Sequence, residues 1–347
     1  MIFLIISNTR PTVLVPSETI GWPGGDEYLY NLRRILKILE NENFLSLESL
    51  TNLSSSEIQE YTLGDVRINL PWPLLSGISN PIQWIPDLQD IEEPSFFSTE
   101  ELEVRKKQIL NAIEINTAFY FSSNHSRNVF IDSYPGAKTL PVLRFSVAND
   151  VVSSKQVPLN CQVCIEDGYF YAPNSWWKHK NHLLLISSFR EYVENGGKRH
   201  LILSGSQSDY RWPFYENQIL LEIEHTPHVH NLGFVTKSQK TSLLELAFCI
   251  VQSSLYEGWA TVIEEALLRG KRMIISDLPV FEEQLEMESG FLKFARRDSS
   301  SLIEALFKAE VLAPSSKTNY IFREARFLND AKNLIAAADG HVRKNSI

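Results

Sequence analysis

Ser254-Leu-Tyr-Glu-Gly-Trp-Ala-Thr-Val-Ile-Glu-Glu-Ala-Leu-Leu-Arg-Gly270, continued by Lys-Arg-Met-Ile-Ile-Ser-Asp277, is the stretch whose reading decides the fold. An apolar run ends near Gln252, a tight loop carries Glu257 and Gly258, and a helix starts near Thr261. Gly270 stops that helix and a second apolar run, Met273–Ser276, follows. Strand, loop, helix and strand in this order predict a parallel sheet with helical crossovers, an α/β fold. A helix N-terminus presents unpaired backbone N–H groups and the positive end of the helix dipole, which favour a phosphate. Gly258 lets the backbone approach such a group closely. Glu265, about one turn inside the helix, can accept hydrogen bonds from ribose hydroxyls. In open α/β sheets ligands bind beyond the carboxyl ends of the strands, where this loop lies.

The same alternation extends outward in two series. The first predicts strands at Ile2–Ser7, Val66–Leu70, Ile82–Ile85, Ala118–Ser122 and Lys138–Val142, with helices at Glu27–Glu42 and Glu100–Ile115. The stretch from Ser146 to Tyr169 is weakly patterned and holds the boundary. The second series predicts strands at Phe170–Ala172, His200–Ser204, Val229–Leu232, Ile250–Gln252 and Met273–Ser276. Its helices are expected at Asn181–Asn195, Gln218–His225, Lys240–Ala247 and Thr261–Arg269, the first closed by Gly196-Gly197. The division expected is 1–160, 161–319 and a terminal helix over 320–347. On that helix Ile321, Ala325, Leu328, Lys332 and Ile335 recur at helical spacing and predict its packed stripe, docked on its own domain or back on the first.

The 347 residues suit two domains of about 150. A composition of 44% hydrophobic and 22% charged residues excludes a disordered chain, and a net charge of −9 argues against a dedicated nucleic-acid binder. Three cysteines cannot staple a chain of this length, and the pair Cys161 and Cys164 has no second pair to complete a zinc site. The opening Met1–Ile6 run is far short of the roughly 20 residues that span a bilayer and carries no basic leader. The expected location is the cytoplasm. The modest basic surplus from Ile321 onward leaves peripheral contact with the inner face of a membrane open.

Glu257 and Glu265, seven residues between them, preceded by a strand and Ser-Leu-Tyr and followed by a Gly-capped helix, resemble the retaining GT-B glycosyltransferases of family 4. The resemblance implies that Glu257 faces the transferred sugar and Glu265 binds the nucleotide ribose. Tyr171-Ala-Pro-Asn-Ser-Trp-Trp-Lys-His-Lys-Asn-His182 is similar to the loop that opens the family's C-terminal domain, where an Arg and a Lys meet the donor diphosphate. Lys180 matches the Lys. Asn174 stands in place of the Arg, with Lys178 as an alternative cation. Leu201-Ile-Leu-Ser-Gly205 resembles the strand and Gly loop under the nucleotide, and Leu232-Gly-Phe-Val235 the segment whose backbone meets the base at Val235. Ser276-Asp-Leu-Pro-Val-Phe-Glu-Glu283 resembles the loop that closes this half of the site. The family pattern prefers Pro where this chain has Ser253. In the first half, Gly24-Gly25-Asp26 resembles the family's phosphate-facing glycine loop. Trp84-Ile-Pro-Asp-Leu-Gln89 and Ser122-Ser-Asn-His-Ser126 follow its acceptor-side order, with Pro86 where many members carry His.

What the resemblance implies is a GT-B architecture, two Rossmann-like doubly wound domains facing each other across a cleft. Its implied activity is retaining transfer of a hexose from a nucleotide-diphosphate sugar, GDP-mannose or a UDP- or dTDP-sugar, to a glycan or lipid-linked glycan of a cell-surface polysaccharide. Glu257, Lys180 and Asp87 would carry the chemistry. Glu265, Asn174, Gly205, Val235, Gly258, Thr261, Gly24 and Gly25 would hold the donor nucleotide, and His125 and Trp84 the acceptor side. No metal and no cofactor are expected, the nucleotide sugar being a substrate. Two alternatives stay open: a degenerate GT-B partner within a polysaccharide synthase complex, and a sugar-nucleotide epimerase or phosphorylase on the same scaffold.

Overall fold

The computed structural model describes residues 10–16, 23–50, 66–69, 82–148, 168–315 and 320–344. It divides into two units, one of Met1–Leu88, Thr99–Ser146 and Arg323–Ile347, the other of Gln89–Ser98 and Val147–Phe322.

The first unit is built on a six-stranded sheet of β1 (Thr12–Pro16), β2 (Ser46–Leu50), β3 (Val66–Asn69), β4 (Ile82–Ile85), β5 (Ala118–Phe121) and β6 (Lys138–Thr139). Its order is β2-β1-β3-β4-β5-β6, and the pairings are parallel. The expected strand Ile2–Ser7 lies outside the described residues. Ile82–Ile85 and Ala118–Phe121 are wholly buried, the mark of strands covered on both faces. A long helix, Pro23–Asn41, buries Tyr28, Leu32, Ile35 and Leu39, a spacing of four, three and four.

The terminal helix runs Tyr320–Lys344, but its packed face is not the expected stripe. Ile321 is 74% exposed and Ala325 is also exposed, while Arg323, Phe327, Asp330, Ala331, Leu334, Ile335 and Ala338 are buried. Counting apolar positions chose the wrong phase because two charged residues sit on the buried face. Asp330 is held there by Arg144, whose Nε and Nη2 donate to its carboxylate at 2.8 and 2.9 Å. Glu324, half-buried beside them, accepts from Ser146 Oγ at 2.6 Å and pairs with Arg34.

The second unit holds β7 (Tyr169–Ala172), β8 (His200–Leu203), β9 (Val229–Asn231), β10 (Cys249–Gln252), β11 (Arg272–Ser276) and β12 (Phe291–Phe294). The order is β12-β11-β10-β7-β8-β9, again with parallel pairings. Counted from β7, this is the Rossmann order, which reverses between β7 and β10. The α/β expectation holds, and the strands expected in this half appear within a residue at either end. Phe291–Phe294 and the helix Ser299–Lys308 were not expected. The strand exposes Lys293, so its apolar run is broken, and the helix opens on a serine run that reads as a loop until Asp298 is seen accepting from Ser301 N–H. The core gathers Phe170, Trp176, Phe189, Leu203, Val251, Ile274 and Leu306.

Candidate functional site

Two loops leave the second sheet where its strand order reverses, residues 173–181 after β7 and 253–260 after β10. A crevice opens at such a point because the crossovers on either side run in opposite directions. Pro173 ends β7, since it has no N–H for the ladder. A single turn at Lys178–Lys180 then closes on Asn181, whose φ of +59° is the left-handed conformation that Asn tolerates. The loops are stitched together: Leu255 N–H donates to His179 O at 2.7 Å and Ser253 Oγ to Lys180 O at 2.8 Å. That second bond gives Ser253 a role proline could not fill.

Gly205, after β8, underlies the first loop. A Cβ there would lie 2.5 Å from Asn174 O, and its φ is +148°, so only glycine fits. Gly205 N–H donates to Gly233 O at 2.9 Å and Trp176 N–H to Ser206 O at 2.7 Å, which sets the loops after β7, β8 and β9 side by side.

Glu257 lies at the junction, 9% exposed. Lys180 Nζ donates to its Oε1 at 2.5 Å, Gln252 Nε2 at 2.7 Å and Ser254 Oγ at 2.6 Å. Asn174 does not reach the carboxylate. Its Nδ2 donates to Gln252 Oε1 at 3.0 Å. Lys178, the other cation of the loop, lies 3.0 Å over the Trp212 ring, and burial lowers its pKa. Arg211 stands beside it against Phe97, Tyr210 and Trp177, and Asp209 accepts from the backbone N–H groups of both Lys178 and Arg211.

Past Gly258 the helix Thr261–Leu268 begins at Ala260, with no side chain capping it. Gln284 anchors the start instead, donating through Nε2 to Ala260 O at 2.9 Å and to buried Glu264 at 2.8 Å. The cap residue's own N–H goes to Gln284 Oε1 at 3.3 Å and Ile263 N–H to Ala260 O at 3.1 Å, so the first-turn donors that remain at this helix start are the N–H groups of Thr261 and Val262. Glu265 projects from this helix and accepts from Lys240 Nζ at 2.9 Å through Oε1. The ammonium also lies 2.6 Å from Oε2, though off the hydrogen-bonding direction. Val235 precedes Thr236, which caps the helix Lys237–Leu246 through a capping box with Gln239.

The remaining expected residues belong to the first unit. Gly24 and Gly25 form the first turn of the helix Pro23–Asn41. Asp87 follows β4, half-buried. Trp84 is 3% exposed, stacked on Tyr28 at 3.5 Å, and spends its Nε1 on Ser122 Oγ. His125 is the second residue of the helix Asn124–Ser133.

The structure thus brings Lys180, Glu257, Asn174, Gly205, Gly258, Thr261 and Glu265 to one edge of one sheet. It adds Gln252, Ser254, Gln284 and Lys240, which the sequence reading passed over. One signal was available: Gln252 is a polar residue ending a fully buried strand, Cys-Ile-Val-Gln. Cys161 and Cys164 lie outside the described residues. Among the described residues no group of three or more His, Cys, Asp or Glu could hold a metal ion. No helix among them is long and apolar enough to cross a membrane.

Residues 167–319 match the family described as glycosyl transferases group 1. The O-antigen chain mannosyltransferase RfbU of Salmonella typhimurium is 28% identical over 160 residues, 46% of this chain. The match spans only 43% of that relative's length. Among solved structures, Anabaena Alr3699/HepE in complex with UDP and glucose superposes with a TM-score of 0.59 at 16% identity, over 96% of this chain and 98% of that one. Sucrose-phosphate synthase of Thermosynechococcus elongatus gives 0.60 at 10% identity, over 95% and 96%. At these identities the likeness establishes the fold, two parallel Rossmann-like sheets of the GT-B kind.

Proposed function

Because residues 167–319 match the glycosyl transferases group 1 family, we propose that the chain transfers a hexose from a nucleotide-diphosphate sugar to a glycan or lipid-linked glycan. The observation that carries this is the Lys180–Glu257 pair at the point where the strand order reverses, next to a helix start with no side-chain cap. Mannosyl transfer, named for the Salmonella relative, is the first candidate, ahead of a UDP- or dTDP-sugar.

The roles follow from the chemistry of the groups. The diphosphate takes up the first-turn amides beside Gly258 and Thr261 and the ammonium of Lys180, two of whose three donors can serve a phosphate while the third stays on Glu257. Glu265 receives the ribose hydroxyls, and the backbone at Gly205 and Val235 the base. In the retaining step the anomeric C–O bond breaks and the diphosphate departs with the electron pair. The acceptor hydroxyl forms the new C–O bond on the same face, and its proton passes to the departing phosphate oxygen. The protein's work is electrostatic and positional. To the first unit we assign, on the family resemblance, the phosphate-facing Gly24 and Gly25 and the acceptor-side Asp87, His125 and Trp84.

A thermal-shift panel of UDP, GDP, dTDP, ADP and CMP with their common sugars, each with and without chelator, tests the proposal. One base is expected to raise Tm and to do so equally with chelator present. A ligand at 100 times its Kd stabilises by about 2.7 kcal/mol, a readable shift. Silence across the panel would overturn the reading in favour of a degenerate partner.

A further inference from the structure

Resting on that reading, we infer that Gln252 is a positioning residue of the transfer reaction, one that fixes Glu257 by one carboxylate oxygen and leaves the other for the sugar. Every hydrogen bond found on Glu257 ends on Oε1, from Lys180, Gln252 and Ser254. Three donors converging on one oxygen stop the carboxylate from turning. Oε2 is left as its available acceptor.

The amide of Gln252 has only one orientation that satisfies its neighbours. A carboxylate accepts and never donates, so the NH2 end must face Glu257, because an amide oxygen there would repel it. Ser254 has a single O–H, given to Glu257, and accepts from Gln252 Nε2 at 3.0 Å. Asn174 Nδ2 fills the remaining end, donating to Gln252 Oε1. Gln252 is 1% exposed and Asn174 5%, so any reversal would set the amide oxygen against the Glu257 carboxylate and its NH2 against that of Asn174, out of reach of water. Asn174, standing where a cation was expected, thus acts on Glu257 at one remove. The two amides carry no charge, which leaves Lys180 as the cation on the carboxylate.

The test compares wild type with Gln252→Met, Gln252→Glu and Asn174→Asp, reading kcat for release of nucleoside diphosphate from the nucleotide sugar, Kd for the nucleoside diphosphate alone, and Tm. Gln252→Met keeps the volume and removes both donors. It is expected to lower kcat about 10- to 100-fold, the scale of an ångström of misplacement, with the nucleoside diphosphate Kd within about twofold of wild type. Gln252→Glu sets two carboxylates within hydrogen-bond reach, where they share a proton near neutrality. Its kcat is expected to rise as pH falls from 8 to 6, a slope wild type lacks. Asn174→Asp can only accept, so it turns the Gln252 amide round and should reproduce the kcat loss from two side chains away. Wild-type kcat in Gln252→Met, or a wild-type pH profile in Gln252→Glu, would overturn the inference. If Gln252→Met does not fold, the pH profile of Gln252→Glu and the kcat of Asn174→Asp decide it. A wild-type protein that binds no nucleotide and turns over no nucleotide sugar would instead fail the underlying functional reading.

Discussion

His182 opens the helix His182–Glu194 at 1% exposure, and burial, with the charge of Lys180 behind it, pushes its pKa down to about 3. Burial likewise lowers His179, with Lys180, Arg211 and His182 adding to the effect, and His230, with His200 and His228 adding. His182 is therefore neutral when folded and the other two are biased the same way, whereas the unfolded chain takes up protons near pH 6.5. A depressed folded pKa means the stability is present above the unfolded value and is lost as pH falls through it. Unfolding free energy is expected to fall steadily between pH 7 and 5.5, His182 alone adding up to about 1.4 kcal/mol per pH unit. His182→Gln should flatten that slope in denaturant titrations at the two pH values, and an unchanged slope would contradict the argument. Residue by residue, the grouping proposed as the site was legible where its chemistry calls for a charged or glycine residue: Glu257, Lys180, Glu265 and Gly205. It was illegible where an amide makes the contacts. Gln252 and Gln284 look like any other polar residue until their partners, far apart in sequence, are seen.

At the scale of elements, strands buried on both faces were plain because a continuous apolar run such as Leu201-Ile-Leu admits few other readings. The terminal helix was visible as a helix but not in its phase, since an ion pair buried Asp330 where an apolar count would not place it. The Arg144–Asp330 pair therefore carries a prediction. Asp330 is 4% exposed, so Arg144→Ala strands a buried carboxylate and should cost roughly 2–4 kcal/mol, toward the low end because Arg144 is itself a quarter exposed. Urea unfolding should show part of that loss recovered in the Arg144→Ala/Asp330→Ala double variant. Equal loss in the single and double variants would mean that shape, not charge, holds this face.

For the whole molecule, two all-parallel sheets follow from two series of short apolar runs separated by amphipathic stretches, which the chain displays throughout. Strand order could not be read the same way, because it depends on which side each crossover returns. That order matters most for function: it sets the loop after β7 beside the loop after β10 and so joins Lys180 to Glu257 across 77 residues of sequence. The central claim is that these loops hold the donor. Calorimetric titration of wild type, Glu265→Ala and Lys180→Ala with the nucleoside diphosphate that stabilises the protein, paired with turnover of its sugar, tests it most directly. Glu265→Ala is predicted to weaken binding at least tenfold through loss of the ribose contact, and Lys180→Ala to lower kcat far more than affinity. Wild-type affinity and turnover in both variants would place the donor elsewhere.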